Sequence, residues 1–307
     1  MINIYFYVVA VCATGPILAQ RDQLRSKRMN RIYLLTIVLS FMLLYEGAAS
    51  AQVINVSHAN MNGWTINDQG QTAHSEFVTG PLTAPIGTGS FRETLGSGND
   101  KVRLYTEAYN GLPLTDITQL TFDTYVTQHR DAQAVYLEFY ISSQGNGVFD
   151  DVLKFEPVYQ NGSVTGAGLP NEGALTTGVW QPWNAMIGGW WSRNGTDPNA
   201  TPGDGVKTLS SILSVIPNAA LINYGISFTA GSGVPSWDNF DGNVDDFTIG
   251  TVNGGVTTYN LDPKPDPPAV PEPCAVSQLL AFEILVVIEL TWHKSIIIAR
   301  RNRQVYC

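Results

Sequence analysis

Residues 52–262 contain no cysteine; Cys12, Cys274 and Cys307 all lie outside that stretch. Disulfide staples are therefore excluded there, and cohesion has to come from a buried core or a bound ion. The stretch is long enough to bury such a core. Basic residues are also scarce: seven Lys and Arg stand against twenty Asp and Glu, a net charge of −13 with His neutral, where the whole chain carries −9. So acidic a surface repels phosphate backbones and argues against nucleic acid as a partner. Catalytic signatures are missing too. There is no H-E-x-x-H, no G-x-S-x-G, no Walker loop, no dinucleotide fingerprint and no E-x-D-x-x-E acid series. His58, His74 and His129 are not spaced as metal ligands.

The two ends read as processing segments. Arg28 and Arg31 precede a 13-residue apolar run, Ile32 to Leu44, and Ala49-Ser50-Ala51 forms a small-x-small cleavage site ahead of Gln52. That order predicts a secretion signal over 28–51 starting near Met29, within a leader of 1–51, and hence export to the cell surface or beyond. An upstream apolar run at 4–18 is either a membrane segment or sequence preceding the true start at Met29. After residue 262 comes a proline-rich stretch, 263–269, suited to a stiff extended linker.

The tail, 270–307, opens with Val270-Pro271-Glu272-Pro273, continues through a largely apolar stretch and ends near Arg300-Arg301-Asn302-Arg303. It resembles the PEP-CTERM sorting tails of Gram-negative bacteria. The resemblance implies processing by an exosortase-type enzyme, with Pro271, Glu272 and Pro273 as the sorting motif, in a setting of exopolysaccharide. Two departures bear on it. Cys274 stands where Ser or Thr is usual, and Glu283, Glu289, His293 and Lys294 interrupt the apolar run. A charge at mid-bilayer costs roughly 2.5–3.5 kcal/mol, so the tail is either a sorting signal, intact or decayed, or a disordered or amphipathic extension.

Between the ends, apolar residues alternate with polar ones. Leu120, Phe122, Thr124 and Val126 form one such set, Val135, Leu137, Phe139 and Ile141 a second, and Ile222, Tyr224, Ile226 and Phe228 a third. Period two places each set on one face of a strand. Further strands are expected at 102–109, 152–159, 244–249 and 256–260, with one helix at 206–215. Asn-Gly and Gly-rich turns punctuate the series. The expected fold is all-β: an antiparallel β-sandwich of jelly-roll type with one short helix, over 52–262. The run Trp237-Asp238-Asn239-Phe240-Asp241-Gly242-Asn243-Val244-Asp245-Asp246-Phe247-Thr248-Ile249 resembles the closing strand of carbohydrate-binding and concanavalin-like jelly rolls.

Two ligand chemistries follow. Calcium takes six to eight oxygens, and Asp238, Asp241 and Asp245 offer carboxylates in a short span. The jelly-roll resemblance implies a structural Ca²⁺ held by Asp245. Turn-forming Asp and Asn bonded to their own backbone explain the same run without an ion. Carbohydrate is the second candidate. Tyr105, Glu107 and Tyr109 are expected on one strand face and Tyr136, Glu138 and Tyr140 on another, with Trp190 and Trp191 from a tryptophan-rich segment nearby. Aromatic faces suit sugar rings, although core packing is the commoner fate of Trp. Three functional readings result. The first is a non-catalytic glycan-binding or matrix-associated surface protein, its partner an extracellular polysaccharide; it needs aromatics exposed on one face. The second, a hydrolase or lyase on the same scaffold, needs two facing acids such as Glu138 and Glu156. The third, a structural envelope component, needs the aromatics buried.

The signal reading predicts that the exported protein begins at Gln52. Mass spectrometry of the secreted or surface-released protein checks this, and retention of Met1 or Met29 at its N-terminus refutes it.

Overall fold

A computed structural model describes residues 51–163, 168–231 and 233–263. The expected leader, including Ala49, and the tail with Pro271, Glu272 and Pro273 lie outside the described residues. Ala51 is exposed and precedes the first strand. Among the described residues no helix is long and apolar enough to cross a membrane.

Two seven-stranded sheets make the sandwich expected from the alternation. The first contains β1 (Gln52–Asn55), β3 (Ala73–Thr79), β4 (Gly89–Leu95), β6 (Ile117–Gln128), β9 (Trp180–Asn184), β13 (Phe240–Thr251) and β14 (Gly255–Asn260). Long β13 is its spine, pairing β6 along one edge and β4 and then β14 along the other. The second sheet runs β11 (Lys207–Thr208), β10 (Gly189–Ser192), β8 (Asp151–Phe155), β7 (Tyr136–Ser142), β12 (Ala220–Ala230), β5 (Lys101–Thr106) and β2 (Trp64–Gln69). The chain passes repeatedly from one sheet to the other, the wrapping expected of a jelly roll. Every pairing between these strands is antiparallel except β1 with β14, which is parallel; an isolated bridge from Val126 to Thr177 is parallel too.

The core is the set of inward side chains from both sheets. Phe228 of β12 meets Phe122 and Phe247 of the opposite sheet at ring-centroid distances of 5.3 and 5.1 Å, and Trp64 of its own sheet at 6.1 Å. All four rings are buried. Trp190 packs on Phe139 and Phe155 further along. With no cysteine in 52–262, these aromatic contacts join the sheets without a disulfide.

Boundaries differ from expectation where side chains cap the backbone. The strand expected at 102–109 stops at Thr106, whose Oγ1 accepts from Ala108 N, and a turn follows in which Asn110 N donates to Glu107 O. The strand expected at 152–159 stops at Phe155, before a 3₁₀ turn opened by Pro157. The helix expected at 206–215 is shorter: α1 (Leu209–Val215) starts after Thr208, whose side chain accepts from Ser211 N as an N-cap. Strand β4 escaped the alternation because Glu93 occupies an inward position beside Phe91 and Leu95.

Replacing Phe228 with Ala removes the ring that bridges the sheets and is expected to cost about 3–5 kcal/mol. Urea denaturation of the variant measures it; a loss under about 1 kcal/mol would mean that the core closes without this contact.

Candidate functional site

The outer face of the second sheet gathers most of the residues expected to meet a carbohydrate. Register makes the grouping. Ser227 of β12 lies opposite Tyr105 of β5 on one side and Glu138 of β7 on the other; Glu138 lies opposite Lys154, and Lys154 opposite Trp191. A line from Tyr105 to Trp191 therefore crosses five strands, or four inter-strand spacings, about 19 Å. The next line pairs Arg103 with Thr229 and Thr229 with Tyr136.

Aromatic rings form one end of this face. Tyr224 meets Tyr105 at 4.8 Å and Tyr140 at 4.9 Å, both edge-on, and Phe149 stacks on Tyr140 at 5.9 Å. Tyr105 and Tyr224 are half-buried, Tyr140 is buried and Phe149 is exposed. Strict alternation places Tyr224 with Ile226 and Phe228 in the core. A bulge moves it outward: Gly225 and Ile226 both oppose Thr106, so the faces exchange at that point. The backbone turns through Asn223 (φ 56°) and Gly225 (φ 53°). A Cβ on Gly225 would stand 2.4 Å from Thr106 O, so only glycine fits. The Asn-x-Gly spacing was the available signal for this residue.

A charged cluster occupies the middle. Glu138, with no exposed surface, accepts at Oε1 from Lys154 Nζ at 3.1 Å and Lys101 Nζ at 3.4 Å. Its Oε2 accepts from Tyr140 OH at 3.1 Å and Thr229 Oγ1 at 3.0 Å and faces Arg103 Nε at 3.8 Å. Burial pushes this carboxyl up, but Lys101, Lys154 and Arg103 outweigh it and hold it at about 2. Burial lowers Lys101 to about 8 against the pull of Glu138. Glu156, one strand over, is pushed up by burial to about 7; Lys154 lowers it and Glu138 raises it. Lys154 Nζ also sits over the Tyr136 and Trp191 rings, at 4.8 and 5.2 Å, and Arg103 over Tyr224 at 5.5 Å.

Four expected residues are placed differently. Trp190 points inward, its Nε1 donating to Ala185 O, because neighbours on a strand face opposite ways and Trp191 takes the outer face. Glu107 and Tyr109 lie beyond the end of β5; Glu107 is exposed, and Tyr109 OH bonds Tyr259 OH at 3.0 Å, over the first sheet. Tyr136 is on the face but covered, its OH donating to Gly231 O and its ring lying 5.6 Å from Trp237.

The expected calcium ligands do not converge. Asp238 accepts from Gly98 N and Arg130, Asp241 is held by Arg92 through two bonds of 2.9 and 2.7 Å, and Asp245 accepts from Leu261 N. Among the described residues no group of three or more His, Cys, Asp or Glu is placed to hold a metal. Asp245 is buried and its Oδ1 is engaged by the Leu261 amide.

No protein-family model matches this chain, and no curated protein matches it. Among solved structures it is similar to the family 11 carbohydrate-binding module from Clostridium thermocellum in complex with a beta-1,3-1,4-mixed-linked tetrasaccharide, at 9% identity and a TM-score of 0.34. The likeness covers 68% of this chain and 95% of that one. At that score it says nothing about the ligand of the face described above.

The buried acids make stability depend on pH. Burial raises Asp245 to about 8, Glu156 to about 7 and Asp123 to about 6. Folding thus holds protons that the unfolded chain has lost, so stability falls as pH rises from about 4 through 8. Glu138 acts oppositely, its contribution being lost only as pH falls from about 4.5 towards 2. Melting by calorimetry is expected to show stability falling between pH 5 and pH 8, by at most about 1.4 kcal/mol per pH unit from any one group. Asp245→Asn, which keeps an oxygen for Leu261 N, is expected to flatten that fall, and an unchanged slope would contradict the burial of this carboxyl.

Proposed function

We propose that this protein is an exported, non-catalytic glycan-binding protein of the cell surface or extracellular matrix, and that the outer face of the second sheet is its binding surface. The observation that carries the reading is the row Tyr105, Tyr224 and Tyr140 beside the polar cluster of Glu138. The half-buried rings of Tyr105 and Tyr224, backed by buried Tyr140 and next to fixed hydrogen-bonding groups, match a sugar, whose ring faces are apolar and whose edges are hydroxylated. The structural reading calls for buried aromatics, whereas Tyr105, Tyr224 and Trp191 keep exposed surface on this one face. Sequence features supply the rest of the proposal. The segment ending at Ala51 would direct export, and the tail containing Pro271, Glu272 and Pro273 would hold the protein at the envelope after exosortase-type processing, among extracellular polysaccharide. Calcium has no part in this reading.

A second reading, a carbohydrate-active hydrolase or lyase, draws on one observation. Glu156, raised to about 7, adjoins ionised Glu138, and two carboxyls held apart in this way suit acid and base roles. Glu138, however, is already engaged by three cations and two hydroxyls, which leaves it poorly free to attack or to activate water.

A glycan array probed with the full chain tests the proposal. Retention of at least one glycan is expected, weakened about tenfold or more by Tyr224→Ala. Absence of any retained glycan would remove the binding claim, and cleavage of a bound glycan would favour the hydrolase or lyase.

A further inference from the structure

We infer that the glycan taken by this face is acidic: it carries a sugar carboxylate that docks on Lys101 and Arg103. This rests on the glycan-binding reading and adds the charge of the ligand. The cluster is unbalanced. Lys101, Arg103 and Lys154 converge on the single carboxylate of Glu138 at 3.4, 3.8 and 3.1 Å. Three of the seven basic residues in 52–262 are thus spent on one anion, in a stretch with a net charge of −13.

Cations withdrawn from water without a counter-charge are costly, and one buried carboxylate cannot serve three of them fully. Arg103 shows the shortfall: its Nε is buried and makes no hydrogen bond. Lys101 and Arg103 keep 14% and 11% of their side chains exposed, while Lys154 keeps 5%. An arriving anion therefore meets the first two directly and Lys154 through the field beneath. Glu156, which feels Lys154 and Lys101, is pushed up by burial to about 7 and so is only partly ionised near neutral pH. Glu93, which also senses the cluster, faces the core, and burial raises it well above the carboxylate range.

The chemistry of the ligand follows from its two neighbours. Arginine's planar fork matches a carboxylate through paired N–H bonds. The tyrosine row beside it calls for a ring in the same molecule, which a free inorganic anion lacks. A uronic-acid polysaccharide supplies both, the carboxylate on the cations and the ring faces on Tyr105 and Tyr224.

The full chain is tested by calorimetry and affinity electrophoresis against polygalacturonate, its fully methyl-esterified form, dextran sulfate and neutral dextran. Polygalacturonate is expected to bind with an affinity that falls as salt rises, and the neutral ester about tenfold or more weaker. Lys101→Met is expected to lose more affinity towards the acid, by about tenfold relative to its effect on the ester, whereas Tyr224→Ala weakens both by similar factors. Arg103→Lys, which keeps charge but loses the fork, serves as the second variant should Lys101→Met fail to fold by thermal melting. Equal binding of acid and ester, unmoved by either basic-residue variant, would overturn the inference and leave glycan binding standing. Tight dextran sulfate binding without polygalacturonate binding would overturn the carboxylate assignment. Failure of the folded protein to bind any of the four would overturn the inference; the glycan array decides the broader reading separately.

Discussion

Strand β12 is the constraint on which the rest of this sandwich depends. On its inner side Phe228 inserts between Phe122 and Phe247 of the facing sheet and locks the two layers without a covalent bond. On its outer side Ser227 and Thr229 line up Tyr105, Arg103, Tyr136 and Glu138 from the strands on either flank. Core and candidate site are therefore two faces of one strand. Because alternate residues must point oppositely, a change in its register would dismantle both.

The bulge at Gly225 qualifies that rule at a single place. Up to Tyr224 the strand obeys one parity, and beyond it the other. The exchange delivers an aromatic ring to the outer face while leaving Ile226 and Phe228 in the core. It needs a left-handed glycine pressed against Thr106 O, an arrangement no other residue tolerates. A core strand thus also presents an aromatic ring on its outer face, through one local departure from regularity.

Electrostatics divide the molecule unevenly. Over most of its surface negative charge is spread and solvated, which favours solubility. At Glu138 positive charge is concentrated and largely withdrawn from water. A sheet needs no such cluster to pack, and well-fitted apolar residues would serve stability as well or better. Its presence on the face that also carries the tyrosine row is what ties the polar and aromatic features into one candidate site.

Much of the fold was legible in the sequence. Period-two alternation identified β6, β7 and β12, and the absence of cysteine left cohesion to a buried core or a bound ion. Legibility failed where a polar residue sat inward, as Glu93 does in β4, or where a cap or bulge ended or shifted the period, as at Thr106 and Gly225. For the site, Tyr105, Tyr136, Glu138, Tyr140 and Trp191 were readable as strand-face residues, but Lys101, Arg103, Lys154 and Tyr224 were not. Those four matter only through cross-strand register, which pairs residues far apart in the chain, and no local pattern records which strand lies beside which. The sequence alone determined that there would be two-faced strands and an acidic, staple-free body. Tertiary structure decided which faces meet, because hydrogen-bonded neighbours in a sheet are chosen by the packing of the whole sandwich.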